Sequence, residues 1–137
     1  MIVLDTSFLV AFHNEGDVHH GAATEVMSRF LDAEWGPGLL LEYVFLEVVT
    51  VLRLRLDLIA AVEVGETLLR ARELEFLPCS EIFMESFRTM RMEREAPLSF
   101  VDATILGVAR RHPPGFIATF DDDFRGLDGV RVVPESS

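Results

Sequence analysis

The sequence of 137 residues contains no lysine and one cysteine, so all 12 of its basic residues are arginines. The absence of lysine excludes P-loop NTPases, whose lysine contacts the nucleotide phosphates. It also counts against Schiff-base enzymes, which need a lysine amine. Because Cys79 has no second cysteine to pair with, neither an intramolecular disulfide nor a cysteine zinc site can form. This cysteine usage predicts a cytoplasmic protein.

The sequence also has no apolar run long enough to cross a membrane. A transmembrane helix needs about 20 predominantly apolar residues. The longest apolar stretch, residues 38–54, contains Glu42, Glu47 and Arg53. The apolar start of the chain is interrupted by Asp5 and has no basic leader, so we expect neither a signal peptide nor a membrane association.

The composition is that of a folded protein with a strongly acidic balance. Hydrophobic residues make up 50% and charged residues 26% of the sequence, which excludes a disordered chain. The length predicts a single compact domain over residues 1–137. Acidic residues outnumber basic ones by 23 to 12, and the net charge of −11 argues against tight non-specific binding to nucleic acid.

Short apolar runs alternate along the chain with longer segments of helical periodicity. We predict strands at residues 1–4, 39–41, 76–78, 116–119 and 130–133, and helices at residues 17–34, 42–56, 58–75, 82–94 and 100–111. Asp57 is expected to cap the helix that follows it. The alternation predicts a three-layer α/β/α sandwich with a mostly parallel central sheet. In such sheets, ligand sites lie beyond the carboxyl ends of the strands.

Four acidic positions fall where that rule places a site. Asp5 ends the first strand, Asp121 follows a late strand, and Asp102 lies in the first turn of a helix. Each of these three has a structural alternative: Asp5 as a helix cap, Asp102 as the partner of Ser99 in a capping box, and Asp121 as part of an acidic turn. Glu47 lies in an apolar helix, where an isolated carboxylate is rarely buried, so we expect it to face inward or into a cleft.

These four carboxylates can converge above one edge of the sheet. Carboxylates that come together repel each other, and at least one becomes protonated unless a cation joins them. Oxygen ligands suit Mg²⁺ or Mn²⁺ rather than zinc. Mg²⁺ usually shares its coordination with substrate phosphates, so the acids predict metal-assisted phosphate chemistry.

Four segments spread over nearly the whole chain carry these acids: IVLDTSFLVA, FLEVVTVL, SFVDATILGVA and ATFDDDF. Their order and content resemble PIN-domain ribonucleases, specifically the toxins of VapBC-type toxin–antitoxin pairs. The resemblance implies a PIN-like α/β/α sandwich that hydrolyses RNA phosphodiester bonds with metal-activated water. It also implies Mg²⁺ or Mn²⁺ as the cofactor, a cognate antitoxin as a partner, and frequent homodimers.

The resemblance assigns roles to the acidic residues. Asp5, Glu47, Asp102 and Asp121 match the catalytic quartet of the family, and Asp123 matches a frequent extra acid. The metal ligands are expected to be Asp5, Asp102, Asp121 and Asp123, with Glu47 as a further ligand or a base. Because residues 121–123 are all aspartate, the fourth acid stays open between Asp121, which we prefer, and Asp123.

Hydroxyl residues lie next to these acids. Thr6 matches the small hydroxyl residue that follows the first acid in the family, and Thr119 matches the one before the last acid. Together with Ser99 they are candidates for orienting ligands or phosphates, although Ser99 is explained more simply as a helix cap. His19 and His20 lie near a helix start and are expected to face solvent rather than a metal.

Two further functions and one interface remain open. A catalytically silent PIN-fold binding module is one alternative, and a metal-dependent DNA nuclease is the other. Response-regulator receivers also carry acids at strand ends, but they need a lysine that this chain lacks. The helices at residues 42–56 and 58–75 carry more apolar residues than one core face needs, which favours a homodimer or antitoxin interface over a thick core.

Overall fold

The computed structural model describes residues 1–135, and these form five β-strands and six α-helices. In chain order the elements are β1 (Ile2–Leu4), α1 (Thr6–His13), α2 (His20–Leu31), β2 (Gly38–Leu41), α3 (Glu42–Arg55), α4 (Leu58–Arg70), β3 (Leu74–Leu77), α5 (Phe83–Met92), α6 (Phe100–Arg110), β4 (Phe116–Ala118) and β5 (Arg131–Val133). Single 3-10 turns span Ser80–Ile82 and Asp122–Phe124.

The five strands form one parallel sheet in the order β3-β2-β1-β4-β5. Val3 in the central strand pairs with Leu39 of β2 on one side and Ile117 of β4 on the other. Helices α1 to α4 pack together as one group, and α5 packs on α6 as a second group. Because parallel strands are joined by right-handed crossovers and the strand order reverses at β1, the two groups lie on opposite faces of the sheet, in agreement with the predicted three-layer α/β/α sandwich.

The central strands are uniformly apolar because helices cover both of their faces. Every residue of β1 and β2 is buried, as expected for parallel strands in an α/β sheet. Gly38 opens β2 at a point of close approach. A Cβ atom there would lie 2.8 Å from Leu74 Cδ2 and 2.9 Å from Phe30 Cζ. A larger residue at position 38 would therefore force the Leu74 and Phe30 side chains to move.

Some predicted boundaries are wrong. The helix predicted over residues 58–75 ends at Arg70, since residues 74–77 pair with β2 along its whole length. Sheet pairing here overrides a helical sequence pattern. The helix predicted over residues 17–34 begins only at His20, because Asn14 and Asp17 close turns through their carbonyl oxygens. Asp57 caps α4 as predicted, accepting a hydrogen bond of 2.7 Å from the amide of Ala60.

The strand order reverses between β1 and β4. From β1 the chain proceeds outward to β2 and β3, and β4 and β5 are then added on the other side of β1. The crevice beyond the carboxyl ends of β1 and β4 is therefore the topological switch point, where open α/β sheets bind their ligands. Among residues 1–135, no helix combines the length and apolar character needed to cross a membrane.

Candidate active site

Asp5 lies at the centre of this crevice, directly after β1, and caps α1. Its Oδ1 atom accepts a hydrogen bond of 2.7 Å from the Thr6 amide, and its Oδ2 atom accepts bonds from the Thr119 hydroxyl (2.6 Å) and the Ser7 hydroxyl (3.1 Å). The residue is only 4% exposed. Burial raises the pKa of Asp5 to about 6, although these hydrogen bonds oppose the shift, and the negative charge of Asp102 adds to it.

The two hydroxyl groups that bond Asp5 also hold the chain that leaves β4. Thr119 Oγ1 accepts a hydrogen bond of 2.9 Å from the Asp121 amide, and Ser7 Oγ accepts one of 2.9 Å from the Phe120 amide. Thr119 is fully buried. The loop that carries Asp121 is thus tied to the Asp5 carboxylate through two buried or half-buried hydroxyl groups, which fixes the distance between the two acids.

Glu47 projects toward the same place from the second turn of α3. Its neighbours Val44 and Val48 are buried in the core, whereas Glu47 is partly exposed and lines the crevice. The Thr6 hydroxyl donates a hydrogen bond of 2.7 Å to Glu47 Oε1. Thr6 therefore links two carboxylates, through its amide to Asp5 and through its hydroxyl to Glu47. Glu47 faces a cleft, as its apolar sequence surroundings predict.

Asp102 combines a structural contact with a place in the crevice. Its amide donates to Ser99 Oγ (3.1 Å), and its Oδ2 atom accepts from the Ser99 amide (3.2 Å), which completes the predicted capping box of α6. Burial raises the pKa of Asp102, and the charges of Asp121 and Glu47 raise it further. The capping function and proximity to the other acids therefore coexist in one side chain, whereas the structure places Ser99 at the helix cap.

Asp121 and Asp123 occupy different positions. Asp121 lines the crevice and caps the 3-10 turn that follows it, accepting a hydrogen bond of 2.9 Å from the Asp123 amide. Asp123 does not line the crevice, although the negative charge of Asp121 raises its pKa. Asp121, rather than Asp123, therefore lines the crevice together with the other three acids.

The crevice is a cavity of about 300 Å³ that brings the predicted quartet together. Its wall also contains residues that no sequence motif singled out as ligands or catalytic groups: Ser7, Val10, Asp17, His19, Val51 and Arg55. Ser7 could have been found from its position two residues after the first acid. Nothing in the sequence places Arg55, at the end of α3, in the wall of this cavity. His19 is solvent-exposed, as expected, but it also lines the cavity.

The carboxylate oxygens of the cavity are ligands of the type that a hard divalent cation prefers. Within the described residues, no three acidic, histidine or cysteine side chains lie close enough together to form a ready-made metal cluster. Four carboxylates nevertheless line one cavity, and the pKa values of Asp5 and Asp102 are raised by burial and by neighbouring negative charge. A divalent cation would stabilise the ionised form of both carboxyl groups. All four side chains offer the oxygen ligands that Mg²⁺ and Mn²⁺ prefer.

Comparison with known proteins agrees with this architecture. A family model described as PIN domain matches residues 2–130 of this chain. Among solved structures, the chain is similar to VapC20 from Mycobacterium tuberculosis, described as a sarcin–ricin loop cleaving toxin. The TM-score is 0.79 and the sequence identity is 26%, over 90% of this chain and 92% of the VapC20 chain. No curated protein sequence matches this chain.

Proposed function

This chain belongs to the PIN-domain family, a family of nucleases, and we propose that it is the metal-dependent endoribonuclease toxin of a toxin–antitoxin pair. The observation that carries the proposal is the meeting of Asp5, Glu47, Asp102 and Asp121 in one cavity at the switch point of the sheet. A silent binding module has no need for a glutamate in the apolar helix α3, hydrogen-bonded to Thr6 at 2.7 Å.

The side chains of the cavity divide the chemistry among them. Asp5, Asp102 and Asp121 would hold Mg²⁺ or Mn²⁺, with Asp123 at the edge of the site. When bound, such a cation lowers the pKa of water and offsets negative charge on the phosphate and the leaving oxygen. Three hydrogen bonds hold Asp5 in place before any ligand arrives. Glu47, oriented by the Thr6 hydroxyl, accepts the proton of the attacking water.

The similarity to VapC20 supports RNA rather than DNA as the substrate. That protein is described as cleaving the sarcin–ricin loop, and it shares its fold with this chain over almost the full length of both. The net charge of −11 weakens contacts along a long phosphate backbone. We therefore propose that a short unpaired RNA segment is recognised at few points. Cleavage by this route leaves a 5′-phosphate and a 3′-hydroxyl group and does not use the 2′-hydroxyl.

Exposed apolar side chains support protein partners, as expected for a toxin held inactive in the cytoplasm. A groove of about 530 Å³ lies between α3 and α4, and its walls include Leu54, Leu58, Val62 and Leu69. A second apolar surface on α5 contains Phe83, Met84, Phe87, Met90 and Met92. Soluble monomers rarely expose so many large apolar side chains. We propose that an antitoxin covers the α3–α4 groove and that a second copy of the chain covers the α5 surface.

The decisive experiment is to map the ends of a cleaved RNA. A hairpin RNA with the sarcin–ricin loop sequence is incubated with the purified chain in Mg²⁺ and, separately, in chelator. We expect cleavage with Mg²⁺, loss of cleavage with chelator, and 5′-phosphate ends. Asp5→Asn should abolish cleavage, whereas Asp128→Asn, which changes an exposed acid just before β5, should not.

Three outcomes would contradict the proposal. A 2′,3′-cyclic phosphate product would exclude the metal-activated water. Cleavage that survives in Asp5→Asn would show that the acids of this cavity are not the site. Cleavage of the corresponding DNA hairpin at the same rate would favour the DNA nuclease instead.

A further inference from the structure

An aromatic pair lies at the rim of the acidic cavity and is not used by the acid chemistry. The rings of His19 and Phe120 are stacked, with centroids 4.4 Å apart and planes inclined by 4°. His19 is solvent-exposed and lines the cavity, while Phe120 is half-buried beneath it. Because one ring face of His19 rests on Phe120, the opposite face is open to a further planar group.

Hydrogen bonds hold this stack in a fixed position relative to Asp5. Phe120 lies between Thr119 and Asp121, and its amide donates to Ser7 Oγ at 2.9 Å. The same Ser7 hydroxyl bonds Asp5 Oδ2 at 3.1 Å. On the other side, the His19 amide donates to Asp17 Oδ1 at 2.8 Å. The backbones of both stacked residues are therefore tied to side chains in the wall of the cavity.

Arg55 lies on the same rim and brings a positive charge to it. Arg55 is the last residue of α3, and its guanidinium Nη1 atom lies 4.0 Å from Asp17 Oδ2, with the side chain 60% exposed. By contrast, Arg29 and Arg125 in the adjoining cavity are held in ion pairs of 2.5 and 3.0 Å. Of these three arginines, Arg55 exchanges its carboxylate for a phosphate at the lowest cost.

We propose that the His19–Phe120 stack and Arg55 form a nucleotide-binding subsite beside the acidic cavity. An unpaired RNA base stacks on the open face of His19, and Arg55 contacts a backbone phosphate next to the scissile bond. This inference rests on the proposed ribonuclease function and names how the substrate is held. Stacking suits a protein with a net charge of −11, because aromatic–base contacts need no positive surface.

Binding to a short, fluorescein-labelled oligo(A) RNA tests the subsite without cleavage. The experiment uses fluorescence anisotropy at low salt, with chelator present to prevent cleavage, so that the hydrogen bonds around Asp5 are kept in every variant. Stacking is worth roughly five- to 150-fold in affinity per base, so His19→Ala should weaken binding by a factor in that range. His19→Phe keeps an aromatic face and should restore it. His112→Ala, a histidine beyond the far end of α6, is the matched control and should have no effect.

Arg55 is tested with a control of the same kind. Arg55→Ala should weaken binding and reduce its salt dependence by about one phosphate contact. Arg70→Ala is the matched control because Arg70 is also an exposed arginine at the last position of its helix, paired with an acid. A second probe lacks the bases but keeps the phosphates. With this abasic probe, His19→Ala should no longer change the affinity, whereas Arg55→Ala should still weaken it.

Several results would overturn the subsite. Equal affinities of the His19→Ala and His112→Ala proteins for oligo(A) would do so. So would an abasic probe that binds the protein as tightly as oligo(A), or no measurable binding of oligo(A). If His19→Ala weakens only the binding of a protein partner, the stack belongs to that interface. These outcomes are separate from a failure of the proposed function. If the proposed function is wrong, the wild-type protein does not cleave RNA with Mg²⁺, whether or not RNA binding depends on the stack.

Discussion

Replacing Asp5 by asparagine should change how the stability of the metal-free protein depends on pH. Asp5 is 4% exposed, and burial raises its pKa from 3.8 to about 6. The folded state therefore binds the Asp5 proton more tightly than the unfolded state does. The stabilisation by protonated Asp5 is fully present below pH 4 and is lost as the pH rises through about 6.

The magnitude follows from the size of the shift. Two pKa units at 1.36 kcal/mol each correspond to about 3 kcal/mol. Part of this difference is already lost at pH 4, where unfolded-state Asp5 is more than half ionised, so the free energy of unfolding of the wild-type protein should fall by about 2 kcal/mol relative to Asp5→Asn between pH 4 and pH 7. The substitution also disturbs the bonds from the Thr119 and Ser7 hydroxyls, at about 1 kcal/mol each. That cost does not vary with pH, so the slope is the quantity to test.

Urea denaturation of both proteins across this pH range, in the presence of chelator, measures the difference directly. Taking the difference between two proteins cancels the titration of groups that they share. Asp128→Asn serves as the control and should show a flat difference. A wild-type minus Asp5→Asn difference that stays within about 0.5 kcal/mol over the range would refute the desolvation argument. Adding Mg²⁺ should then stabilise the wild-type protein by mass action and leave the variant unchanged.

Three further outcomes follow from the structure. Ser99→Ala should lower the free energy of unfolding by about 1 kcal/mol through loss of the helix cap. The rate of RNA cleavage should stay within a few-fold of the wild-type rate, because the backbone amide at position 99 still bonds Asp102. A large loss of cleavage would give the Ser99 hydroxyl a direct role. Asp121→Asn should reduce the cleavage rate at least 100-fold, and Asp123→Asn should reduce it less than tenfold. The reverse order in the same assay would identify Asp123 as the fourth acid. Leu58→Asp should weaken antitoxin binding at least tenfold in a titration while cleavage by the isolated chain is unchanged, and unaltered antitoxin affinity would remove the α3–α4 groove from that interface.

Most of the layered fold could be predicted from the sequence because strands buried on both faces have an unmistakable composition. The runs at residues 1–4 and 39–41 are apolar throughout, and each became a central strand. The boundary error at β3 arises because this strand is not buried on both faces. At this sheet edge the strand is partly exposed and reads Leu-Glu-Phe-Leu, which continues the pattern of α4. Only the pairing with β2, a contact between segments distant in sequence, ends the helix at Arg70.

The candidate site shows the same division between local and long-range information. Capping by Asp5 and Asp102 is local, so both contacts could be predicted from residue types and spacing. The network around Asp5 joins β1, α3 and the end of β4, and its strongest element, Thr119 donating to Asp5 at 2.6 Å, spans 114 residues. A buried carboxylate is costly unless hydrogen bonds compensate for the lost water, and the Thr119 and Ser7 hydroxyls supply two such bonds from outside the helix cap. The burial of Asp5 among three hydrogen bonds is therefore a tertiary property that no local sequence pattern contains.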